Sequence, residues 1–285
     1  MPTSRPSEIS KPVSSRTSRR VASTTLSFSA ADGGRKSVGT PFNLAKAYRK
    51  LRCRVSDSTA SPTVYGCSTD TFAVRPTAFN SVAASASADS TGASTTATPA
   101  IKAGSAFTLT AGTGKAGYDG TPQIDASKTE WTGAPTGGVA SPGVGVLGGV
   151  FTQAAASATG NGASGSAFTY SEVGYFRFKA QGVYDNTFTA SSGDIDNNDC
   201  TKDFSNILVG GKYGCYFGNT TATNHFGRFI SSHFAVASSA FASACRVGSD
   251  PGYGYMGQPF ATALSATSEA RNSSGTLTKN YSGAF

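Results

Sequence analysis

Residues 167–190 read AFTYSEVGYFRFKAQGVYDNTFTA, and the alternation inside them decides the fold. Successive side chains of an extended strand point to opposite sides. From Tyr175 to Ala180, Phe176 and Phe178 therefore fall on one face, with Tyr175, Arg177 and Lys179 on the other. That predicts a strand with one face in a core. Val183 and Phe188 predict a partner strand immediately after it.

The same two-residue period recurs outward in both directions. AFTLTAG (106–112) places Phe107 and Leu109 on one face. VYGCSTDTFAVRP (64–76) alternates until Pro76, which cannot donate to a central ladder. Further back, Leu26 and Phe28 in TTLSFSA predict a half-buried strand, followed by a turn at Asp32-Gly33-Gly34. Leu51, Cys53 and Val55 alternate against Arg52 and Arg54, although Lys46–Lys50 also fits one helical turn. Residues 81–98 are low in complexity and read as a loop. In the Gly/Ala/Ser-rich stretch 133–166, the apolar run Val144–Phe151 suits a buried strand or a loop tucked against a sheet. It is far too short to span a membrane.

Composition agrees with short strands and small-residue turns. Charged residues make up 14% of the chain and the 18 phenylalanines can fill a core, whereas helical proteins need many Glu, Lys, Leu and Arg. The net charge of +8 is unevenly placed. Residues 1–54 carry twelve Lys/Arg against Glu8 and Asp32, a net of +10; residues 55–285 carry twelve against fourteen, a net of −2. The globular part therefore gives no reason to expect nucleic acid as a partner. Residues 1–23 are rich in Ser, Pro and Arg and read as a disordered basic segment, or as an arm for nucleic acid or an anionic surface.

Of the five cysteines, Cys200 and Cys215 enclose a turn-rich stretch and predict a disulfide, which implies an oxidising compartment. Cys53 and Cys67 are a second pairing, across a hairpin, and Cys245 is left over. Buried free thiols in a cytosolic protein are the alternative. No secretion signal is visible: the stretch after Arg19-Arg20 is too polar for one.

FAVRPTAF (72–79) and HFAVASSAF (233–241) echo one another, and each is followed by a loop and a Gly/Phe/Thr/Leu segment. Phe107 then corresponds to Phe260, and Tyr118-Asp119-Gly120 to Tyr281-Ser282-Gly283. A domain-sized repeat signals tandem modules. The expected organisation is a basic segment (1–23), strands of a preceding module or extension (24–62), a complete module (63–230) and the opening strands of a second, incomplete one (231–285). The Gly…Phe-x-Leu-x-Ala…Tyr-x-Gly order resembles the opening strands of bacterial immunoglobulin-like domains. Glu172-x-Gly174-Tyr175-Phe176 resembles the entry into strand F of that fold, where a tyrosine hydroxyl bonds back to the preceding corner. The expected fold is all-β, with immunoglobulin-like β-sandwich modules in tandem.

CSTDTFAVRP (67–76), FTYSEVGYFRF (168–178), DNNDCTKDFSNILVGGKYGCYFGN (196–219), HFGRFISSHF (225–234), YMGQPF (255–260) and ARNSSGTLTKNYSGAF (270–285) together resemble the C-terminal region of MshQ-like proteins. That family is associated with biogenesis of the mannose-sensitive haemagglutinin type IV pilus. The resemblance covers about residues 24–285 and implies an exported surface protein with no cofactor and no catalytic residues.

Three constellations bear on chemistry. Asp194, Asp196 and Asn198, at i, i+2 and i+4, can direct oxygens at one hard cation such as calcium, although Asp199 and Phe204 replace the Gly and Glu that an EF-hand requires. The alternative is a solvated turn pinned by Cys200 and Cys215. Trp131 with Tyr118 would stack on a sugar ring, against a core or edge role for Trp131. His225 and His233, with Arg228 between them, lack the nucleophile and orienting acid of a catalytic site, and Gly210-Gly211 reads as a turn. No enzyme is expected. The expected function is a structural or adhesive module of an extracellular or cell-surface protein, whose partners are neighbouring modules, pilus components, or a glycan or host-surface receptor. The alternatives are a carbohydrate-binding module and a viral coat protein with a basic nucleic-acid-binding arm.

Overall fold

The structure is a computed structural model and describes residues 20–37, 42–57, 59–132, 143, 145–156, 162–190, 199–241, 256–257 and 264–281. The chain divides into two units, Met1–Ala45 and Lys46–Phe285. In the first, residues 20–29 form no strand and Phe28 is exposed, contrary to the alternation of Leu26 and Phe28. An alternating pattern makes a strand only where a partner supplies the ladder. A short 3-10 turn at Ala30–Asp32 follows instead. The Asp32 carboxylate accepts from the Ser29 amide, and Gly33 closes the turn at φ +54°.

Lys46–Phe285 begins with β1 (Tyr48–Leu51), β2 (Arg54–Asp57), β3 (Val64–Cys67) and β4 (Phe72–Val74). The central strands are β5 (Ser81–Ala84), β6 (Ser87–Asp89), β7 (Ile101–Lys102), β8 (Phe107–Gly112), β9 (Gln123–Ile124), β10 (Thr129–Thr132), β11 (Leu147–Gly148), β12 (Ala163–Tyr170), β13 (Gly174–Phe178), β14 (Val183–Asp185), β15 (Phe217–Gly218) and β16 (His225–Ile230). A ribbon of β17 (His233–Phe241) and β18 (Leu264–Arg271) follows.

Two sheets carry the fold, which is an all-β sandwich. One runs β10-β13-β16-β6, with β7 added parallel to β16; the other runs β11-β12-β8-β5. Their alternating residues meet in one core. Phe107 and Leu109 on β8, Phe168 and Tyr170 on β12, and Phe176 and Phe178 on β13 are all buried. Ring centroids lie 4.8 Å apart for Tyr170–Phe176 and 5.3 Å for Phe107–Phe229, within the range where aromatic pairs attract. A third, short sheet (β15-β14-β9) extends this core through Phe217, Phe188 and Tyr118.

Some expectations change. Residues 81–98 are not simply a loop, because Ser81–Ala84 and Ser87–Asp89 pair with β8 and β16. Small Ser and Ala side chains carry little strand preference, so here the neighbours decide. The run 64–76 is two strands with different partners: β3 pairs with β2 and β4 with β1. Both ladders cross residues 62/63, and only Ser231-Ser232 separates β16 from β17 at 230/231. The echo is not matched in surroundings: Tyr118 is buried, whereas Tyr281 packs edge-on against Phe234 at 5.3 Å. Phe260, Ser282 and Gly283 lie outside the described residues.

Tyr175 reaches a distant loop. Its hydroxyl donates to the carbonyl of Ser94, 81 residues earlier, and pins the 90–94 loop over the sheet. The neighbouring Glu172 binds the C-terminal segment, its two carboxylate oxygens accepting from the amides of Lys279 and Asn280.

Candidate functional site

Between Asp199 and Tyr216 the chain forms a finger whose tip is exposed. Cys200 and Cys215 are joined at its root, with Cα atoms 5.3 Å apart. Thr201 pairs with Gly214 above the disulfide, and Val209 pairs with Lys212 at the tip. The Val209 amide donates to the Lys212 carbonyl at 2.9 Å and the Lys212 amide returns a bond at 3.1 Å. The two residues between them, Gly210 and Gly211, take φ +57° and +80°. Positive φ at both central positions is the pattern of a tight hairpin turn that glycine permits without strain.

Arg75 braces the root from the other side. Its guanidinium donates to the carbonyls of Gly214 (2.7 Å), Ser205 (2.8 Å) and Pro76 (2.8 Å) and to the side-chain oxygen of Asn206 (2.9 Å). Burial pulls this group below its ordinary pKa, and the charge of Asp203 opposes that shift. Asn206 reaches back to the Thr77 carbonyl, and Phe204 sits edge-on between Tyr184 and Tyr216.

On this braced root the finger carries apolar side chains in water. Ile207 is 71% exposed, Leu208 58%, Val209 59% and Tyr213 53%. Such clusters on a protein surface mark interaction sites. Buried against a partner, each aliphatic side chain would contribute about 1.5–3 kcal/mol. The sequence signal for this is an Ile-Leu-Val run entering Gly-Gly between two cysteines, in which local residue chemistry alone reveals only the turn.

Among the described residues, those singled out from sequence do not assemble elsewhere into a site. Tyr118 is buried, and its hydroxyl donates to Asp185 at 2.7 Å. Burial first, and then the Asp185 carboxylate, push its pKa upward. It is therefore inaccessible to a sugar. Trp131 lies on the edge strand β10, half-packed against the core, with its indole N–H donating to the Val173 carbonyl. An open groove of about 350 Å³ between 79–82 and 219–224 is lined mainly by Asn, Thr and Ser, with Val82 and Ala222. Its one aromatic residue, Phe79, is buried and offers no stacking surface.

Cys53 and Cys67 are exposed free thiols rather than a disulfide. The register explains this. Cys67 lies opposite Arg54, while the Cys53 carbonyl accepts from Ser68. That one-residue offset sends the two sulfurs to opposite faces of the ribbon. Asp194, Asp196, Asn198 and Cys245 lie outside the described residues. Among the described residues no group of three or more His, Cys, Asp or Glu could hold a metal ion. His225 is buried, with Nδ1 3.1 Å from the Ser90 carbonyl oxygen, whereas His233 is exposed at the start of β17. No helix among the described residues is long and apolar enough to cross a membrane.

Residues 205–285 match the family model of the third domain of DUF6701, beginning inside the finger and taking in its apolar tip and the β17–β18 ribbon. No curated protein and no solved structure matches the chain.

Proposed function

We propose that this chain is a non-catalytic structural and adhesive module of an exported bacterial surface protein associated with type IV pili, in keeping with its resemblance to MshQ-like proteins. The observation that carries the adhesive part is the finger: exposed apolar side chains held on a root tied by a disulfide and by the Arg75 hydrogen bonds. A tip ordered before contact loses little entropy on docking, so more of its burial energy appears as affinity. The disulfide supports an extracellular location, because such bonds persist in oxidising compartments.

Purified type IV pilus filaments are the probe. The chain should be retained on them, and Leu208→Asp should weaken retention roughly tenfold or more while leaving the melting temperature unchanged. No retention, or equal retention of the variant, overturns the proposal.

A further inference from the structure

β17 leaves the sandwich as a near-direct continuation of β16 and pairs with β18 alone among the described residues. The ladder runs Phe234↔Ala270, Ala235↔Glu269 and Val236↔Ser268, then resumes as Ser238↔Thr267, Ser239↔Ala266 and Ala240↔Ser265. Ala237 is therefore an extra residue, a bulge, and it reverses the alternation. Opposed residues share a face. Phe234, Val236 and Ser239 consequently lie with Ala270, Ser268 and Ala266, and with Leu264 further along, while Ala235, Ser238 and Ala240 lie with Ser265, Thr267 and Glu269.

The first of these faces is mainly apolar and largely exposed, apart from buried Ala270 and the edge-on contact of Phe234 with Tyr281. Phe234, Val236 and Leu264 are 57%, 67% and 63% exposed. The outer edge of β17 has no partner strand among the described residues. Natural proteins guard such edges with charges or proline, yet 234–241 contains neither. An isolated two-stranded ribbon is marginal in water, so this surface calls for another strand.

The strand itself specifies which one. Residues 234–241 read FAVASSAF, with Phe and Ala at both ends in mirrored order. Antiparallel self-pairing about a two-fold axis between residues 237 and 238 sets Phe234 opposite Phe241 of the second copy. It also sets Ala235 opposite Ala240 and Val236 opposite Ser239. These positions are odd distances apart, so in a regular strand each pair would present opposite faces and the match would fail. The bulge at Ala237 falls between the members of every pair and removes the conflict. Ala235 and Ala240 share one face, and Val236 and Ser239 share the other.

We propose that β17 is a self-association edge through which two copies of this chain pair along 234–241. The product is a four-stranded sheet in the order β18-β17-β17-β18, with Phe234, Val236 and Leu264 of both ribbons on one side. Because the contact is isologous, it closes at two copies.

Sedimentation velocity of the full chain, with Cys53, Cys67 and Cys245 changed to Ser to prevent cross-linking, reads the association from micromolar to near-millimolar concentration. A reversible monomer–dimer equilibrium is expected, with amides 234–241 gaining hydrogen-exchange protection as the dimer fills. Val236→Lys and Ser239→Pro should each weaken dimerisation roughly tenfold or more, whereas Thr267→Lys, on the opposite face and the other strand, should not. All three positions are exposed, and an unchanged melting temperature excludes misfolding as the cause. A monomer at every concentration, or a dimer indifferent to both Val236→Lys and Ser239→Pro, overturns the proposal. A monomer that instead takes up a strand from another polypeptide overturns it equally.

Discussion

The Arg75 guanidinium donates from Nε to the backbone carbonyl of Gly214, 139 residues later, at 2.7 Å. One side chain thus joins the segment that enters the sandwich to the root of the finger. Arg75→Lys should free the finger although it keeps the charge, because an ammonium cannot reach several separately placed acceptors in a planar fork. Hydrogen exchange should show amides 205–214 losing protection while β13 and β16 keep theirs.

Removal of the disulfide by a Cys200→Ser, Cys215→Ser double substitution should lower stability by about 3 kcal/mol at most, the chain-entropy value for a loop of this length. The sandwich core lies apart from that loop, so far-UV circular dichroism at room temperature should be unchanged. Binding that depends on Leu208 should fall.

Phe176 sits among Phe107, Tyr170, Phe178, Phe226 and Phe229 with no solvent exposure. Phe176→Ala should cost about 3–5 kcal/mol, the sum of lost burial and an unfilled cavity. Denaturant unfolding would measure this as a lower midpoint with an unchanged slope.

How much of the fold is legible in the sequence depends on where the information sits. Phe107, Leu109, Phe176 and Phe178 stand out, because large apolar residues at a period of two build one face of a strand and no face of a helix. Cys200 and Cys215 are readable from the turn-forming residues between them. Strands β5 and β6 are not, since Ser and Ala become strands only through the ladders offered by β8 and β16. The offset that separates Cys53 from Cys67 is a matter of register, which pairwise spacing does not reveal. Arg75 at the finger root is equally hidden, as the Gly214 and Ser205 carbonyls it binds come from a distant part of the chain.

Two tyrosines should report unfolding at high pH. Burial is the first cause raising the pKa of both Tyr118 and Tyr170. A folded-state value above the unfolded one, about 10, adds stability that is fully present below the unfolded value and is lost as pH rises through the folded one. Among the 11 tyrosines, these two should ionise only together with loss of the fold, giving a cooperative late step in absorbance at alkaline pH. Tyr118→Phe should reduce the amplitude of that step.

Glu130 behaves in the opposite sense. A hydrogen bond from Arg177 first, and one from Lys179 second, hold its carboxyl below the usual range. A depressed folded value adds stability above the unfolded pKa, about 4.3, and that stability disappears as pH falls through the folded value. Glu130→Gln should therefore narrow the difference between melting temperatures at neutral and acid pH. The effect should be small because the pair is half-exposed and screened by solvent.

The attachment of Glu172 to Lys279 and Asn280 has a mechanical consequence. Asn280 is further held by reciprocal bonds with Gly143, and the Ser273 amide bonds Ala103. A pull on the chain beyond Tyr281 therefore meets these fastenings before it reaches β18. The tension passes into the sandwich through them, and the ribbon hangs in a slack bight between two anchored points. Its exposed edge would stay in register while the chain on either side is under load.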